Sequence, residues 1–154
     1  MPSPGSFFTR VLHAEDVESM RALLAVFGEA FDDAETYCGA QPGRAYLEGL
    51  LGSPCFIALA AFEGDEVVGG LAAYELQKFE QQRSEIYIYD LAVADAYRRR
   101  GAATALIGEL KRIATERGAW VIFVQADLGD EPAIALYTRL GVREDVLHFD
   151  IEPA

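Results

Sequence analysis

The period of the apolar residues changes in the middle of the chain, and this change constrains the fold more than any other feature. Residues 84–93 form a β segment rich in Ile and Tyr, and after Gly101 the apolar residues fall on one helical face until Gly118. Residues 119–126 then return to a strand pattern. A strand, a helix and a second strand in this order predict one crossover unit of an α/β sheet.

The rest of the sequence predicts a single domain around this unit. Residues 1–6 contain only Met, Pro, Ser and Gly and predict a flexible tail, which leaves residues 7–154 for the domain. Apolar periods and turn residues predict strands at 7–12, 55–62, 67–76 and 147–151, and helices at 16–31, 46–52 and 130–141. The predicted order is β-α-α-β-β-β-α-β-α-β, a mixed α/β fold with antiparallel strands early in the chain.

The charge balance narrows the classes of partner. The 154 residues include 13 Lys and Arg and 25 Asp and Glu, a formal net charge of −12. Such a surface repels nucleic acid and anionic lipid, and it attracts small cations such as polyamines or amino sugars. The longest apolar run, 55–62, is far shorter than the roughly 18 residues of a membrane helix, and the N-terminus lacks a signal-peptide pattern. We therefore expect a cytoplasmic protein that binds neither nucleic acid nor membrane.

The sequence predicts two free thiols and no metal site. Cys38 and Cys55 are the only cysteines, and His13 and His148 are the only histidines. Their spacing matches neither a disulfide framework nor a set of metal ligands. A Gly-x-Ser-x-Gly nucleophile motif is also lacking, so a covalent enzyme intermediate is not expected.

The loop between the strand at 84–93 and the following helix has the properties of an anion site. Free backbone N–H groups and the positive end of the helix dipole face this loop, and Gly101 allows close approach of a ligand. Residues 98–117 hold six basic and two acidic residues, a net charge of +4 within an acidic chain. The loop matches neither a Walker motif nor a dinucleotide Gly-x-Gly-x-x-Gly motif.

The pattern Arg98-x-x-Gly101-x-Ala103 resembles the pyrophosphate-binding loop of the Gcn5-related N-acetyltransferase superfamily. About thirty residues later, 133–141 resembles the helix with which this superfamily presents a tyrosine to the thioester. A more specific similarity, to the type I aminoglycoside 3-N-acetyltransferases, covers about residues 10–152. It is carried by FIALAAF at 56–62, KFEQ at 78–81, RSEIYIYDLAV at 83–93, VQAD at 124–127 and HFDI at 148–151.

The resemblance implies the superfamily fold and acetyl transfer from acetyl-CoA to the 3-amino group of a 2-deoxystreptamine antibiotic such as gentamicin. It also implies a backbone N–H near Val93 as the donor to the oxyanion. Members of this superfamily often dimerise, which leaves a homodimer open. The residues expected to contact the cofactor are Leu91, Ala92, Val93, Arg98, Arg99, Arg100, Gly101, Ala102, Ala103, Thr104, Asp130 and Ala133. Asparagine is frequent in the superfamily at the position of Asp130, and an N-cap of the following helix is the alternative role for this residue.

Asp90 and Tyr137 are the catalytic candidates. An ammonium group must lose a proton before its nitrogen can attack a thioester, so the reaction requires a base. Asp90 is a carboxylate within a strand of Ile, Tyr and Leu, where a charge is costly unless it has a partner or a catalytic role. The alternative is that backbone N–H groups at a β-bulge satisfy this carboxylate. A tyrosine phenol is protonated at neutral pH and can serve as a proton donor to the departing thiolate, which makes Tyr137 the candidate acid. The alternative for Tyr137 is a core tyrosine.

Other acidic residues are candidates for binding the ammonium groups of the acceptor. Glu80 and Asp127 flank the strands of the crossover unit, and Asp32, Asp33 and Glu35 follow the first long helix. A solvated charge cluster is the alternative for the last three. Two other functions remain open at this stage, namely acetylation of a polyamine or protein amine, and a non-catalytic acyl-CoA-binding regulatory module.

Overall fold

The computed structural model of the chain describes residues 6–154, so residues 1–5 of the predicted tail lie outside the described part. The strands are β1 (Phe8–Val11), β2 (Phe56–Glu63), β3 (Glu66–Gln77), β4 (Ser84–Val93) and β5 (Ala119–Val124). The helices are α1 (Val17–Ala30), α2 (Ala34–Cys38), α3 (Arg44–Leu51), α4 (Ala102–Arg117) and α5 (Glu131–Leu140), with a 3₁₀ turn at Asp95–Tyr97.

The five strands form one mixed sheet in the order β1-β2-β3-β4-β5. The first four strands pair antiparallel, and β5 pairs parallel to β4 after the crossover through α4. The predicted mixed α/β fold with an early antiparallel part and one crossover is therefore confirmed. The connections from β2 to β3 and from β3 to β4 are short, whereas α1, α2 and α3 lie between β1 and β2 and α4 lies in the parallel connection.

Helices cover both faces of the sheet because alternate residues of the central strands are apolar on both sides. Ala58 and Ala60 of β2 pack with the buried residues of α1 and α3, whereas Ile57 and Leu59 pack with those of α4. The two resulting cores are called the α1 face and the α4 face below. The α5 residues Leu136 and Tyr137 pack on the α4 face but stay half-buried.

Two elements differ from the sequence-based prediction. The stretch after α1, where no element was predicted, contains the short helix α2, whose N-cap Asp33 accepts a hydrogen bond from the Thr36 N–H at 3.2 Å. The strand predicted at 147–151 is wrong for the single chain, because residues 142–154 form neither strand nor helix and are all exposed. An isolated alternating segment lacks a partner strand, and the apolar pattern alone does not supply one.

Among residues 6–154, no helix combines the length and the apolar composition that crossing a bilayer needs.

Gly70 in β3 leaves no room for a side chain beneath Leu23 of α1. A Cβ atom there would lie 2.5 Å from Leu23 Cδ1 and 2.5 Å from the Leu59 carbonyl oxygen. We expect Gly70→Ala to lower the free energy of unfolding by about 1–3 kcal/mol, because neither the helix nor the β2 backbone can yield cheaply. Urea denaturation followed by circular dichroism measures this change.

The matched control is Gly108→Ala within α4. A Cβ atom at Gly108 meets no atom within 4 Å, so the substitution should raise the free energy of unfolding by about 0.5–1 kcal/mol through helix propensity alone. Equal effects of the two substitutions would contradict the tight packing assigned to Gly70.

Candidate active site

A β-bulge in β4 determines which face of the sheet each of its side chains reaches. Ala73 of β3 pairs with Ile88 and Ala72 pairs with Asp90, which leaves Tyr89 as the extra residue. Ile88 packs on the α4 face, and Ala92, four residues later, packs on the α1 face. Since side chains alternate with a period of two, only the extra residue explains this change of face. The bulge therefore turns Asp90 toward the α1 face.

Asp90 accepts a hydrogen bond from a tyrosine of α2. The Tyr37 hydroxyl donates to Asp90 Oδ2 at 2.9 Å, and both side chains are half-buried. Burial raises the pKa of Asp90 above its ordinary value, and the Tyr37 hydrogen bond opposes this by stabilising the charged form. The pKa of Tyr37 is raised by burial and by its bond to Asp90. A carboxylate with a raised pKa beside open solvent is suited to accept a proton.

Tyr37 holds its position through aromatic packing at the end of α1. Its ring lies 5.9 Å from Phe27 in an edge-on contact and 5.7 Å from Phe31. Phe27 is fully buried in the α1 face, so the tyrosine is anchored in the core while its hydroxyl reaches β4. The side chain opposite Asp90 is thus fixed before any ligand binds.

A continuous row of aromatic rings lies beside Asp90 on the same side of the sheet. Neighbouring ring centroids are 5.3 Å apart for Phe56 and Tyr74, 5.8 Å for Tyr74 and Tyr89, 5.8 Å for Tyr89 and Tyr87, and 4.7 Å for Tyr87 and Phe123. Tyr89 is 61% exposed, and the Tyr87 hydroxyl donates to Gln125 Oε1 at 2.9 Å. The row offers an aromatic surface to a bound molecule next to the carboxylate.

The second half of β4 has a free edge. The β4–β5 ladder ends at the pair Ile88 and Val124, although β4 continues to Val93. On its other side this part of β4 stays paired, with Leu91 opposite Leu71 and Val93 opposite Gly69. The backbone of the predicted cofactor segment 91–93 can therefore accept an extended ligand as an additional strand-like partner.

The loop after β4 leads directly into the N-terminus of α4. Arg99 and Gly101 have positive φ angles of 62° and 84°, and the cap position Gly101 offers no side chain to the helix. The first intrahelical hydrogen bond runs from the Ala105 N–H to the Gly101 carbonyl at 2.9 Å. The N–H groups of the three preceding helical residues are thus available, as an anion site requires. These residues are Ala102, Ala103 and Thr104.

The three arginines of this loop differ in their contacts. Arg98 Nη1 pairs with Asp95 at 3.0 Å, and its Nε donates to the Val93 carbonyl at 3.2 Å. Arg98 thereby ties the loop to the end of β4. The Arg100 guanidinium lies 5.4 Å from the centre of the Tyr97 ring, and Arg99 and Arg100 are both exposed. The exposed pair supplies the positive charge that this loop presents to solvent.

Tyr137 lies on the opposite face of the sheet from Asp90. It lines a cavity of about 240 Å³ on the α4 face together with the strand residues Ile88, Ile122 and Val124. Burial, assisted by the charges of Asp130 and Asp90, raises the pKa of Tyr137 to about 12. The phenol is therefore protonated at neutral pH.

Asp130 accepts a hydrogen bond from the Ala133 N–H at 3.2 Å and so forms the N-cap of α5. This is the alternative role that the sequence left open for this residue. The contact uses the Ala133 N–H, and binding of the cofactor by either residue stays a prediction.

The other acidic candidates are distributed around the sheet. Glu80 lies after β3 and pairs with Lys78 at 3.1 Å, and Asp127 is exposed in the loop after β5. Asp32 and Asp33 connect α1 to α2, and Glu35 lies in α2. The α2 helix brings these last three into the same part of the chain as Tyr37. Their role in substrate binding stays a prediction.

No three His, Cys, Asp or Glu side chains in residues 6–154 cluster as a metal ion would require.

Tyr37 and the aromatic row were missed from the sequence. Tyr37 falls in a polar stretch that contains Gly39, Pro42 and Gly43, where no period marks a buried residue. Tyr74, Tyr87 and Tyr89 were recognised only as strand residues. The alternation of tyrosines in 84–93 was the available signal for an aromatic face.

Comparison with known proteins identifies the class to which this fold and site belong. The family model described as the acetyltransferase (GNAT) family matches residues 20–142. The chain belongs to this family of acetyltransferases. Acetyl-CoA is the acetyl donor of the family, and the free β4 edge and the α4 N-terminus fit an extended ligand with a diphosphate. A comparison with curated protein sequences finds no match.

Solved structures provide more specific relatives. An aminoglycoside acetyltransferase from an uncultured soil metagenomic sample is 64% identical, with a TM-score of 0.95 over 97% of this chain and 99% of that chain. A second soil metagenomic aminoglycoside acetyltransferase, solved with sisomicin, is 29% identical, with a TM-score of 0.88 over 96% of this chain and 97% of that one. A ribosomal-protein-alanine N-acetyltransferase from Brucella melitensis biovar Abortus shares the fold at 24% identity and a TM-score of 0.75, over 97% of this chain and 100% of that one.

The site predicts that Gly101→Ala weakens acetyl-CoA binding. A Cβ atom at Gly101 meets no protein atom within 4 Å, so the group that an added methyl would crowd is the expected diphosphate at the first turn of α4. We expect the Kd for acetyl-CoA, measured by calorimetry, to rise about tenfold or more, equivalent to about 1.4 kcal/mol.

Gly118→Ala is the matched control for this substitution. Gly118 lies at the opposite end of the same helix, also has a positive φ of 73° and also has open space at its Cβ. Both variants carry the same backbone strain of about 1–2 kcal/mol, so only the ligand distinguishes them. Equal Kd values for the two variants would show that the loop does not approach the diphosphate.

Proposed function

We propose that this acetyltransferase transfers the acetyl group of acetyl-CoA to the 3-amino group of 2-deoxystreptamine aminoglycosides such as gentamicin. The observation that carries the proposal is Asp90, a half-buried carboxylate beside an exposed aromatic row and at the start of a free strand edge. The 64% identical aminoglycoside acetyltransferase supports an amino sugar as the acceptor. Acetylation converts a cationic amine into a neutral amide, which weakens binding to RNA phosphates and would confer resistance.

Asp90 and Tyr37 act on the acceptor amine. An ammonium group that approaches from the α1 face is held by the Asp90 carboxylate, which takes its proton and leaves the neutral amine as the nucleophile. The Tyr37 hydrogen bond keeps the carboxylate oriented and preferentially stabilises its charged form. The new bond joins the amine nitrogen to the acetyl carbon, the bond from that carbon to sulfur breaks, and the nitrogen loses its second proton to solvent to give the neutral amide.

Tyr137 acts on the leaving group from the α4 face. The ordinary pKa of a thiol is about 8.5, whereas that of Tyr137 is raised to about 12. Complete proton transfer from this phenol to the thiolate is therefore uphill. We infer that Tyr137 donates a hydrogen bond to the departing sulfur and that solvent supplies the final proton.

The aromatic row suits the rest of an amino sugar. The apolar face of a sugar ring can lie on Tyr74 or Tyr89, and a neighbouring ammonium group gains about 0.5–1 kcal/mol from an exposed aromatic face. The net charge of −12 attracts a polycation toward the site. Glu80, Asp127, Asp32, Asp33 and Glu35 are the proposed contacts for its outlying ammonium groups.

The cofactor segment 91–93, the loop residues 98–104, Asp130 and Ala133 are the proposed contacts for acetyl-CoA. The proposed backbone donor near Val93 belongs to the part of β4 that has no β5 partner, four residues beyond Tyr89. We also propose that the protein is located in the cytoplasm, where acetyl-CoA is produced.

A thiol-release assay with a panel of amines tests the function. Gentamicin, sisomicin, spermidine and a peptide with a free N-terminus should be compared at equal concentration, with NMR of the product locating the acetyl group. We expect the highest kcat/KM with the aminoglycosides and a 3-N-acetyl product. Preference for spermidine or the peptide, or acetylation at another position of the antibiotic, would reject the proposal.

The pH dependence of kcat/KM should depend on Asp90 and Tyr37. The base must be deprotonated, so kcat/KM should fall as the pH drops through the pKa of Asp90. Tyr37→Phe removes a bond to the charged carboxylate, which raises that pKa further, and the acidic limb should move to higher pH. Asp90→Asn should abolish this limb and lower kcat by about 10²–10⁴-fold.

Tyr46→Phe is the matched control, because Tyr46 is 67% exposed in α3 and its substitution also removes one phenol oxygen. Its acidic limb should coincide with that of the unmodified enzyme. If the acidic limb of the Tyr37→Phe variant stays in place or moves to lower pH, the role assigned to the Tyr37 hydrogen bond is contradicted.

Tyr137→Phe should lower kcat by about tenfold to a hundredfold while the Kd for acetyl-CoA changes little. This range corresponds to about 1.5–3 kcal/mol for a hydrogen bond to a charged group. Steady-state kinetics and calorimetry measure the two quantities. A thioester with a more acidic thiol should reduce the effect of the substitution, and an undiminished effect would argue against contact with the leaving sulfur.

A further inference from the structure

The amide side chain of Gln41 connects the short helix α2 to the middle of α1. Its Oε1 accepts a hydrogen bond from Arg21 Nη1 at 3.3 Å, and its Nε2 donates to the Arg21 carbonyl at 3.4 Å. The same Nε2 donates to the Tyr37 carbonyl at 3.3 Å and lies 4.0 Å from Cys38 Sγ. Only this orientation of the amide suits these partners, because a carbonyl oxygen can accept but cannot donate.

The helix α2 depends on such contacts for its position. It contains five residues, and none of them is buried. A helix of this length is not stable through its own hydrogen bonds. Its N-terminal end is tied to α1 by the Asp33 N–H, which donates to the Gly28 carbonyl at 2.9 Å. At the other end the carbonyls of a helix lack intrahelical partners, and Gln41 supplies one to the Tyr37 carbonyl.

The side chain that α2 must position is Tyr37. A Cβ atom at Gly28 would lie 3.3 Å from Tyr37 Cβ, so α2 rests directly on the backbone of α1 at this point. The ring contacts with Phe27 and Phe31 are apolar and therefore non-directional. The 2.9 Å bond from the Tyr37 hydroxyl to Asp90 is directional and weakens when its geometry changes. The backbone of Tyr37 must therefore also be fixed.

We infer that Gln41 is a positioning residue, which holds the Tyr37 hydroxyl against Asp90 by fixing the C-terminal end of α2 to α1. Gln41 touches neither Asp90 nor the aromatic row, and it acts through the backbone of Tyr37. The importance of this contact for catalysis rests on the proposed function, in which Asp90 is the base. The contact itself is a property of the free protein, so it can be tested without a substrate.

The other ionisable groups around Asp90 do not compete with this effect. Those that act on Asp90 within the described residues are phenols, namely Tyr37 of α2, Tyr74 of β3, Tyr87 of β4 and Tyr137 of α5. Burial raises the pKa of each phenol above its ordinary value, so all four stay neutral in acidic solution. The buried side chains that α1 contributes to the same face are apolar.

Gln41→Met tests the inference, because methionine keeps the length and the neutral charge of glutamine but removes the amide. A weaker Tyr37 bond stabilises the charged carboxylate less, so the pKa of Asp90 should rise. Carbon-13 NMR measures this pKa on the Asp90 carboxyl signal, which is identified by its absence in Asp90→Asn. On the acidic limb kcat/KM should fall by about threefold or more, though by less than in Tyr37→Phe, while the plateau at higher pH changes little.

The matched control is Gln82→Met. Gln82 is exposed in the connection between β3 and β4, and it loses the same amide without a change of charge. The pKa of Asp90 should stay in place in this variant. An unchanged Asp90 pKa in Gln41→Met, or an equal rise in both variants, would overturn the inference.

The double variant Gln41→Met with Tyr37→Phe tests the route of the effect. Without the Tyr37 hydroxyl, the loss of Gln41 should not raise the pKa of Asp90 any further. An additional rise in the double variant would show that Gln41 acts on Asp90 by another route and would overturn the inference. Gln41→Asn provides a milder change should the methionine variant not fold, because its shorter amide cannot span both helices, and the Asp90 pKa should again rise.

The two measurements also separate this inference from the proposed function. If the Asp90 pKa rises in Gln41→Met and the acidic limb of kcat/KM moves with it, both are supported. If the Asp90 pKa rises and the limb stays in place, the position of Tyr37 depends on Gln41 as inferred, and Asp90 is rejected as the base.

Discussion

The extra residue at Tyr89 in β4 is the constraint on which the arrangement of the site depends. Without it, Asp90 would continue the alternation of Ile86 and Ile88 and point into the α4 face, where these residues pack with the buried apolar side of α4. A carboxylate there would lose its hydration without gaining a partner. The bulge instead directs Asp90 to the α1 face, where the Tyr37 hydroxyl donates to it. One inserted residue thus gives a strand carboxylate a hydrogen-bond donor, as the proposed base requires.

The sheet separates two chemical environments that meet where β4 and β5 part. The α1 face carries Asp90 and the aromatic row, and it lies within a chain of net charge −12, which suits a cation. The other environment consists of the free β4 edge, the locally basic loop and the N-terminus of α4, which suit an anionic, extended ligand. The ladder ends at Ile88 and Val124, just before Asp90. In the proposed reaction the acetyl group passes through this gap.

The sequence predicted the parts of the structure that depend on local patterns. The change of period around residues 84–126, Gly101 at the start of α4 and Asp90 as an isolated charge in a strand are all visible within short windows. Tyr37 was not predictable in this way, because it meets Asp90 across 53 positions of sequence. The bulge was considered only as an alternative, since extra residues in a strand leave no periodic signal. The strand at 147–151 was predicted from its alternation, which records a preference for pairing but not the identity of the partner.

The two catalytic candidates, Asp90 and Tyr137, differ in how firmly the fold holds them. Asp90 is fixed by Tyr37, whose ring is held by the fully buried Phe27. Tyr137 lies on α5, which has no buried residue, and shares a cavity with Ile122 and Val124 of β5. A helix with so few buried contacts opens locally at low free-energy cost. The proposed hydrogen-bond donor for the leaving group is therefore held less firmly than the proposed base, which Tyr37 ties to the buried core.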